Sequence, residues 1–372
     1  MNVTFVIPHD SFAGGVRVVA VYAQRLQQRG HCVTVVSAPL PRPKLRQRLK
    51  AFLQPQSVPP KAEGSYFDSI GVDCRCLDRY RPLRDSDLPD ADVVVATWWE
   101  TAEWIAPLSA AKGAKVYFIQ HHEVFEYLPK RRVEATYRLP FYRIAVAQWL
   151  VDILRDRYQA QQVALVPNGV DLTRFYSSPR SKAPVPTVGV VYTATPWKGI
   201  DIALQAFQRA LQDLPQLRLV AFGTEQIAAE LPLPENAQYF FRPAQEQLKH
   251  IYAQCDAWLF SSRTEGFGLP ILEAMACRTP VIAAPTGAAP ELLSNGGGLL
   301  LDGNDPALMA EAIRRICTLD VKEWQQLSEK AYQTASQQSW ENATRDFETA
   351  LKDAIAQPRQ DDSRSKTDRL LP

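Results

Sequence analysis

Short runs of β-branched and other apolar residues alternate along the chain with segments whose apolar residues recur at helical spacing. VTFVI (3–7) comes first, then a helical pattern from about Gly15 to Arg29, then CVTVVS (32–37). Continuous apolar strands suit a sheet buried on both faces, and strand–helix alternation suits parallel pairing through crossover helices. The alternation goes on through DVVVATWW (92–99), a helix near Thr101–Ala111, KVYFIQ (115–120), RIAVA (143–147), a helix over Trp149–Tyr158 and VALVP (163–167).

A second series follows SSPRSKAPVP (177–186), whose three prolines and low apolar content read as a linker. It runs TVGVVYT (187–193), a helix over Ile200–Leu211, LRLVAFG (217–223), a short helix, QYFF (238–241) and a helix over Glu246–Ala253. Then come AWLFSS (257–262), a helix over Pro270–Ala276, TPVIAA (279–284), GGLLL (297–301) and helices over 306–318, 321–334 and 340–356. The expected architecture is α/β, with two Rossmann-like domains at 1–175 and 187–338 and a disordered tail at 357–372. Ligands of such sheets bind at the carboxyl ends of the strands, so two facing sheets would leave a cleft between them.

Composition narrows the classes. The 42 Lys and Arg nearly balance the 40 Asp and Glu, which argues against nucleic acid as the main partner. The balance is uneven along the chain: residues 1–175 hold 23 basic and 17 acidic residues, so the first half is the more suited to an anionic surface. Within it, Arg42–Leu53 has five basic residues and leucines at helical spacing, which fits either a basic amphipathic helix on an anionic membrane or a helix packed on its own domain. The six cysteines mostly sit in apolar runs and read as reduced, packed thiols, with Cys74-Arg75-Cys76 lacking the partners of a zinc site. The opening MNVTFVIPHD lacks the features of a signal peptide and no stretch is apolar enough to span a membrane, so the expected location is cytoplasmic.

Candidate chemistry falls at strand ends. Gly14-Gly15 follows the first strand and opens a helix, where close backbone approach and exposed N–H groups suit an anion; a plain strand-to-helix turn explains two glycines equally well. The more specific feature is SSRTEGFGLPILEA (261–274), running from a strand into a helix that Pro270 can open. Glu265 and Glu273 can accept hydrogen bonds from sugar hydroxyls, while the N–H groups of Gly266, Phe267, Gly268 and Leu269 can donate to a sugar or phosphate. Either glutamate alone would read as a helix cap or a solvated side chain. His121 and His122 end the strand YFIQ. Asp85-Ser86-Asp87 and Asp90-Ala91-Asp92 spell DxD but precede a strand, and read as a solvated turn.

Together, Glu265 and Glu273 around EGFGLPILEA, Lys198-Gly199, VPNGVD (166–171) and Gly14-Gly15 resemble the family-4 glycosyltransferases of GT-B fold, over about Val3–Ala356. The resemblance implies two facing Rossmann-like domains with the donor cleft between them, and a last helix (339–356) that crosses back to the first domain. It implies a retaining transferase that needs no metal or other cofactor, using a nucleoside-diphosphate sugar as co-substrate and a glycan, lipid or small-molecule hydroxyl as acceptor. Glu273 would bind the ribose, Glu265 would sit by the donor sugar, Lys198 would hold the diphosphate and His121 would lie near the sugar. Relatives commonly carry Gly-Arg where this chain has Tyr192-Thr193; Arg242 or Arg263 would then be the compensating cation. A nucleotide-sugar epimerase and a catalytically silent binding module are the alternatives on the same fold.

Overall fold

The computed structural model describes residues 1–11, 13–40, 65–68 and 70–357. Phe12, the basic segment Arg42–Leu53 and the tail beyond residue 357 lie outside the described residues. The chain forms two units. One comprises 1–145, 153–164 and the chain from 344 onward, and the other 146–152 and 165–343.

The first unit is built on a seven-stranded sheet of order β3-β2-β1-β4-β5-β6-β7. Its strands are β1 (Asn2–Ile7), β2 (Cys32–Ser37), β3 (Asp73–Cys76), β4 (Val93–Ala96), β5 (Ala114–Ile119), β6 (Tyr142–Ala145) and β7 (Val163–Leu165). From β3 to β6 every pairing is parallel. The core of this unit receives Phe347, from the helix Trp340–Ala356. Its ring stacks on Tyr22 at 4.3 Å and meets Phe118 edge-on at 5.0 Å, and all three are fully buried. Residues of that helix up to Ala343 group with the second unit, and those from Thr344 with the first.

The second unit has a six-stranded sheet of order β10-β9-β8-β11-β12-β13, with all pairings parallel. The strands are β8 (Thr187–Val191), β9 (Arg218–Gly223), β10 (Ala237–Phe241), β11 (Ala257–Phe260), β12 (Val281–Ala283) and β13 (Gly298–Leu300). Helices start where local chemistry satisfies their first amides: Asp305 caps Pro306–Thr318, and Asp320 with Glu323 forms a reciprocal capping box before Val321–Gln337.

Several expectations change. The stretch 177–186 is not a loose linker. Arg180 donates to Cys255 O (2.6 Å) and Thr279 Oγ1 (2.8 Å) and lies over the Trp324 ring at 4.6 Å, and Lys182 Nζ donates to Cys317 O (2.6 Å) and Leu319 O (2.8 Å). These long side chains fasten a proline-stiffened segment to the second unit. The division between units therefore falls earlier than 175. Val170 N donates to Gln338 O at 2.8 Å, Trp149 Nε1 to Gly266 O at 2.9 Å and Gln148 N to Glu291 Oε1 at 3.2 Å. Cys32, Cys74 and Cys76 are exposed, and only Cys255, Cys277 and Cys317 are packed. The DxD stretches are ion-paired rather than merely solvated: Arg81 forks onto Asp87 (2.6 and 2.9 Å) and Lys112 Nζ donates to Asp90 Oδ1 (2.8 Å). The short helix expected between β9 and β10 is absent among the described residues. Also among the described residues, no helix is long and apolar enough to cross a membrane.

Candidate functional site

In the second unit, β8 and β11 are neighbours from which the strand order runs in opposite directions, so the loops leaving their carboxyl ends diverge and leave a binding crevice. The loop after β8 closes with a 3-10 turn, Pro196–Lys198, followed by Gly199 at φ +65°. A Cβ at Gly199 would lie 2.0 Å from Ser261 O, so only glycine lets the two loops touch here. Arg263 N and Thr264 N donate to Trp197 O at 2.8 and 3.4 Å, and Ser261 Oγ donates to Lys198 O at 3.4 Å. Asn304 Nδ2 fixes the second loop from beneath, donating to Ser261 O (2.9 Å) and Ser262 O (3.2 Å).

On this frame Lys198 Nζ donates to Glu265 Oε2 at 2.5 Å, and Ser262 Oγ donates to the same oxygen at 3.3 Å. The lysine side chain is 38% exposed and the glutamate 16%, so the pair sits at the mouth of the crevice, not in the core. Beyond it the chain turns through Gly266, buried Phe267 and Gly268 (φ +100°) into the helix Leu269–Ala276, with Pro270 in the first turn. The helix starts one residue before the expected Pro270. Glu273 is only 5% exposed and its Oε2 accepts from Tyr252 Oη at 2.8 Å, which removes the solvated alternative. Tyr252 was not singled out from sequence, because a helical tyrosine twenty-one residues away carries no local signal of this partnership.

Neither candidate compensating cation contacts the Lys198–Glu265 pair among the described residues. Arg263 forks onto Asp201 (2.8 and 2.6 Å) and donates to Pro196 O (2.7 Å). Arg242, exposed and at φ +49°, donates to Thr224 O at 3.1 Å and lies over the Phe241 ring. A carboxylate stands by Thr193 instead: Thr193 Oγ1 donates to Glu225 Oε1 (2.7 Å) and Ala194 N to Glu225 Oε2 (2.8 Å).

In the first unit, Gly14 and Gly15 open the helix Gly14–Gln28 after β1. Gln120, at the end of β5, donates to Gly15 O at 3.1 Å, while a Cβ at Gly14 would meet nothing within 4 Å. His121 Nδ1 lies 3.0 Å from His122 O. A carbonyl only accepts, so Nδ1 carries a proton. His122 Nε2 meets Tyr158 Oη at 2.8 Å, and burial, then Arg157, lowers its pKa to about 4. Sequence reasoning passed over Glu123, which is 2% exposed. It accepts from Trp99 N (2.8 Å) and Tyr117 Oη (3.3 Å), and burial raises its carboxyl well above the usual range.

The fold and the β8–β11 crevice define a protein of two doubly wound units, one bearing a Lys–Glu pair and a glycine loop at its switch point. Family models agree over most of the chain: Glycosyltransferase Family 4 matches residues 12–174 and Glycosyl transferases group 1 matches 177–334. The chain belongs to the family-4 (group 1) glycosyltransferases and has their GT-B fold. It is 35% identical over 191 residues to a D-inositol 3-phosphate glycosyltransferase of Geodermatophilus obscurus, covering 44% of this chain and 42% of that protein. It is 33% identical over 215 residues to the protein of that name from Mycolicibacterium smegmatis, covering 52% and 48%. The matched stretch thus spans about half the length of these relatives. Among solved structures, sucrose-phosphate synthase from Thermosynechococcus elongatus aligns with TM-score 0.73 at 19% identity, covering 96% of this chain and 99% of that one. HepE of Anabaena in complex with UDP aligns with TM-score 0.73 at 18% identity, covering 95% and 100%. At such identities these structures speak for the fold alone.

Proposed function

We propose that the protein transfers a sugar from a nucleoside-diphosphate sugar to an acceptor hydroxyl, with retention of configuration, without a metal or other cofactor and in the cytoplasm. The observation that carries this reading is the meeting of Lys198 and Glu265 at 2.5 Å across the carboxyl ends of β8 and β11. In the proposed complex Lys198 turns to the diphosphate, and its charge-assisted hydrogen bond, worth about 1.5–3 kcal/mol, strengthens as charge gathers on the leaving phosphate. The N–H groups of Gly266, Phe267, Gly268 and Leu269 supply the remaining donors, Glu265 positions the sugar, and Glu273, oriented by Tyr252, accepts from the ribose hydroxyls. The bond from the anomeric carbon to the phosphate oxygen breaks as the bond to the acceptor oxygen forms on the same face. The departing phosphate takes the acceptor's proton. His121 keeps the role near the sugar that the family resemblance implies.

The acceptor is a glycan, lipid or small molecule, and the names of the relatives put D-inositol 3-phosphate first among those to try. The test incubates UDP-, GDP-, ADP- and dTDP-sugars with D-inositol 3-phosphate or mixed glycans and measures nucleotide release. Release that needs acceptor and disappears in Lys198→Ala and Glu273→Ala supports transfer; interconversion of donor sugars without acceptor would identify an epimerase. Binding without turnover would favour the silent module, a reading to which the Glu225 carboxylate beside Thr193 lends its only structural support.

A further inference from the structure

Beside the Lys198 turn lies a shallow depression of about 440 Å³, lined by Pro196, Trp197, Ile200, Asp201, Leu231 and Arg263 among others. Its residues all belong to the second unit. Trp197 is the most exposed of the chain's eight tryptophans, at 38%. The exposed part of its ring gives the depression an aromatic surface.

The platform is also rigid. Pro196 fixes its own φ, Trp197 O is held by the amides of Arg263 and Thr264, and Gly199 wedges the turn against Ser261. At the rim, Arg263 holds Asp201 in a two-bond fork and keeps its carboxyl below the usual range, so an anionic acceptor stands ready at neutral pH. Each Asp201 oxygen takes one bond from Arg263 and the carboxylate also accepts from the N–H groups of Asp201 and Ile202, so a sugar hydroxyl would share this held carboxylate and the guanidinium beside it. An apolar platform with a paired carboxylate and guanidinium at its edge matches a ring whose face is C–H and whose rim is hydroxyl. A lipid chain would leave the charged rim unused.

We propose that Trp197, with Asp201 and Arg263 at the rim, forms a carbohydrate subsite that stacks a pyranose ring of a glycan next to the Lys198 turn. This goes beyond donor binding and transfer and does not need either. The depression is open and shallow, so affinity falls in the millimolar range and the ring's identity matters little.

The experiment is saturation-transfer NMR on the full chain with maltohexaose, cellohexaose and α-1,6-mannohexaose, beside thermal shifts with UDP, GDP, ADP and dTDP. At least one hexasaccharide should receive saturation from the wild type. Trp197→Ala should weaken it at least fivefold and Trp197→Phe less than threefold, because phenylalanine keeps an aromatic face. Trp197→Gln, polar at an exposed position, reads the same loss should the alanine variant fold poorly. Absence of transfer to all three sugars overturns the subsite, as does unchanged binding in the Ala and Gln variants. A loss of nucleotide binding along with the glycan also overturns it, since the depression would then belong to the donor site. Glycan binding without any nucleotide response sinks the donor reading and leaves the subsite standing.

Discussion

Lys198 and Glu265 are bound to each other, at 2.5 Å. A lysine that is to hold a diphosphate must give up this partner, and a glutamate that is to meet a sugar must do the same. With the lysine 38% and the glutamate 16% exposed, water screens the pair only in part, and it contributes about 1 kcal/mol. Glu265→Gln should therefore lower thermal stability by no more than about 4 °C. It should tighten binding of a bare nucleoside diphosphate about threefold, because Lys198 is released, and weaken the preference for the sugar conjugate. Calorimetry with UDP or GDP and the matching sugar nucleotide checks this; weaker binding of the bare diphosphate would show that Glu265 helps hold the nucleotide.

Glu225, on the loop after β9, puts a negative charge against the loop after β8. Its carboxylate engages Thr193 Oγ1 and Ala194 N, a hydroxyl and an amide that could otherwise donate to a phosphoryl oxygen. Glu225→Gln keeps the shape, removes the charge and should improve diphosphate affinity about three- to tenfold at low ionic strength, with the gain shrinking as salt rises. A gain that ignores salt would mean a change in loop shape instead.

Most of the fold was legible because buried parallel strands are written as continuous apolar runs, such as VTFVI and AWLF. The edge strand β3 was not, since Asp73–Cys76 is exposed throughout and has no apolar pattern to find. The helix Lys130–Thr136 was missed for a similar reason, burying only Val133 and Thr136. In the site, Lys198, Glu265 and the glycine loop are local in sequence and stood out. The pairings of Arg263 with Asp201, Thr193 with Glu225 and Tyr252 with Glu273 join residues 62, 32 and 21 apart, and only the folded sheet brings them together. The same holds for Arg180 and Lys182, whose acceptors lie 75 to 137 residues away and turn an apparent linker into a fastened strap.

Tyr252→Phe isolates the support of Glu273. The hydroxyl supplies a 2.8 Å hydrogen bond to a carboxylate that is 95% buried, and its removal leaves that oxygen without this donor. The expected cost is about 1–3 kcal/mol in stability, and nucleotide affinity should fall about tenfold as Glu273 loses its orientation. Urea unfolding and nucleotide calorimetry on the same sample read both effects. Equal destabilisation with unchanged affinity would assign Tyr252 to packing alone.

Acid should act on the first unit through Glu348. Its Oε1 accepts from Lys352 (2.6 Å) and its Oε2 from Arg29 (2.7 Å), and the Lys352 bond, with Arg29 behind it, holds the carboxyl down to about 2 from an ordinary 4.5. A carboxyl depressed in the folded state stabilises fully above its unfolded value, and that stabilisation fades as pH falls from about 4.5 towards 2. Glu348→Gln should thus be less stable than wild type by about 1–2 kcal/mol at pH 6, where both bonds to the carboxylate are intact. The gap should narrow steadily between pH 4.5 and 2.5, because there the unfolded wild type takes up a proton that the folded carboxyl still refuses. Unfolding curves at pH 6, 4 and 3 measure it, and a gap that stays constant down to pH 3 would mean that the carboxyl is not held low by these partners.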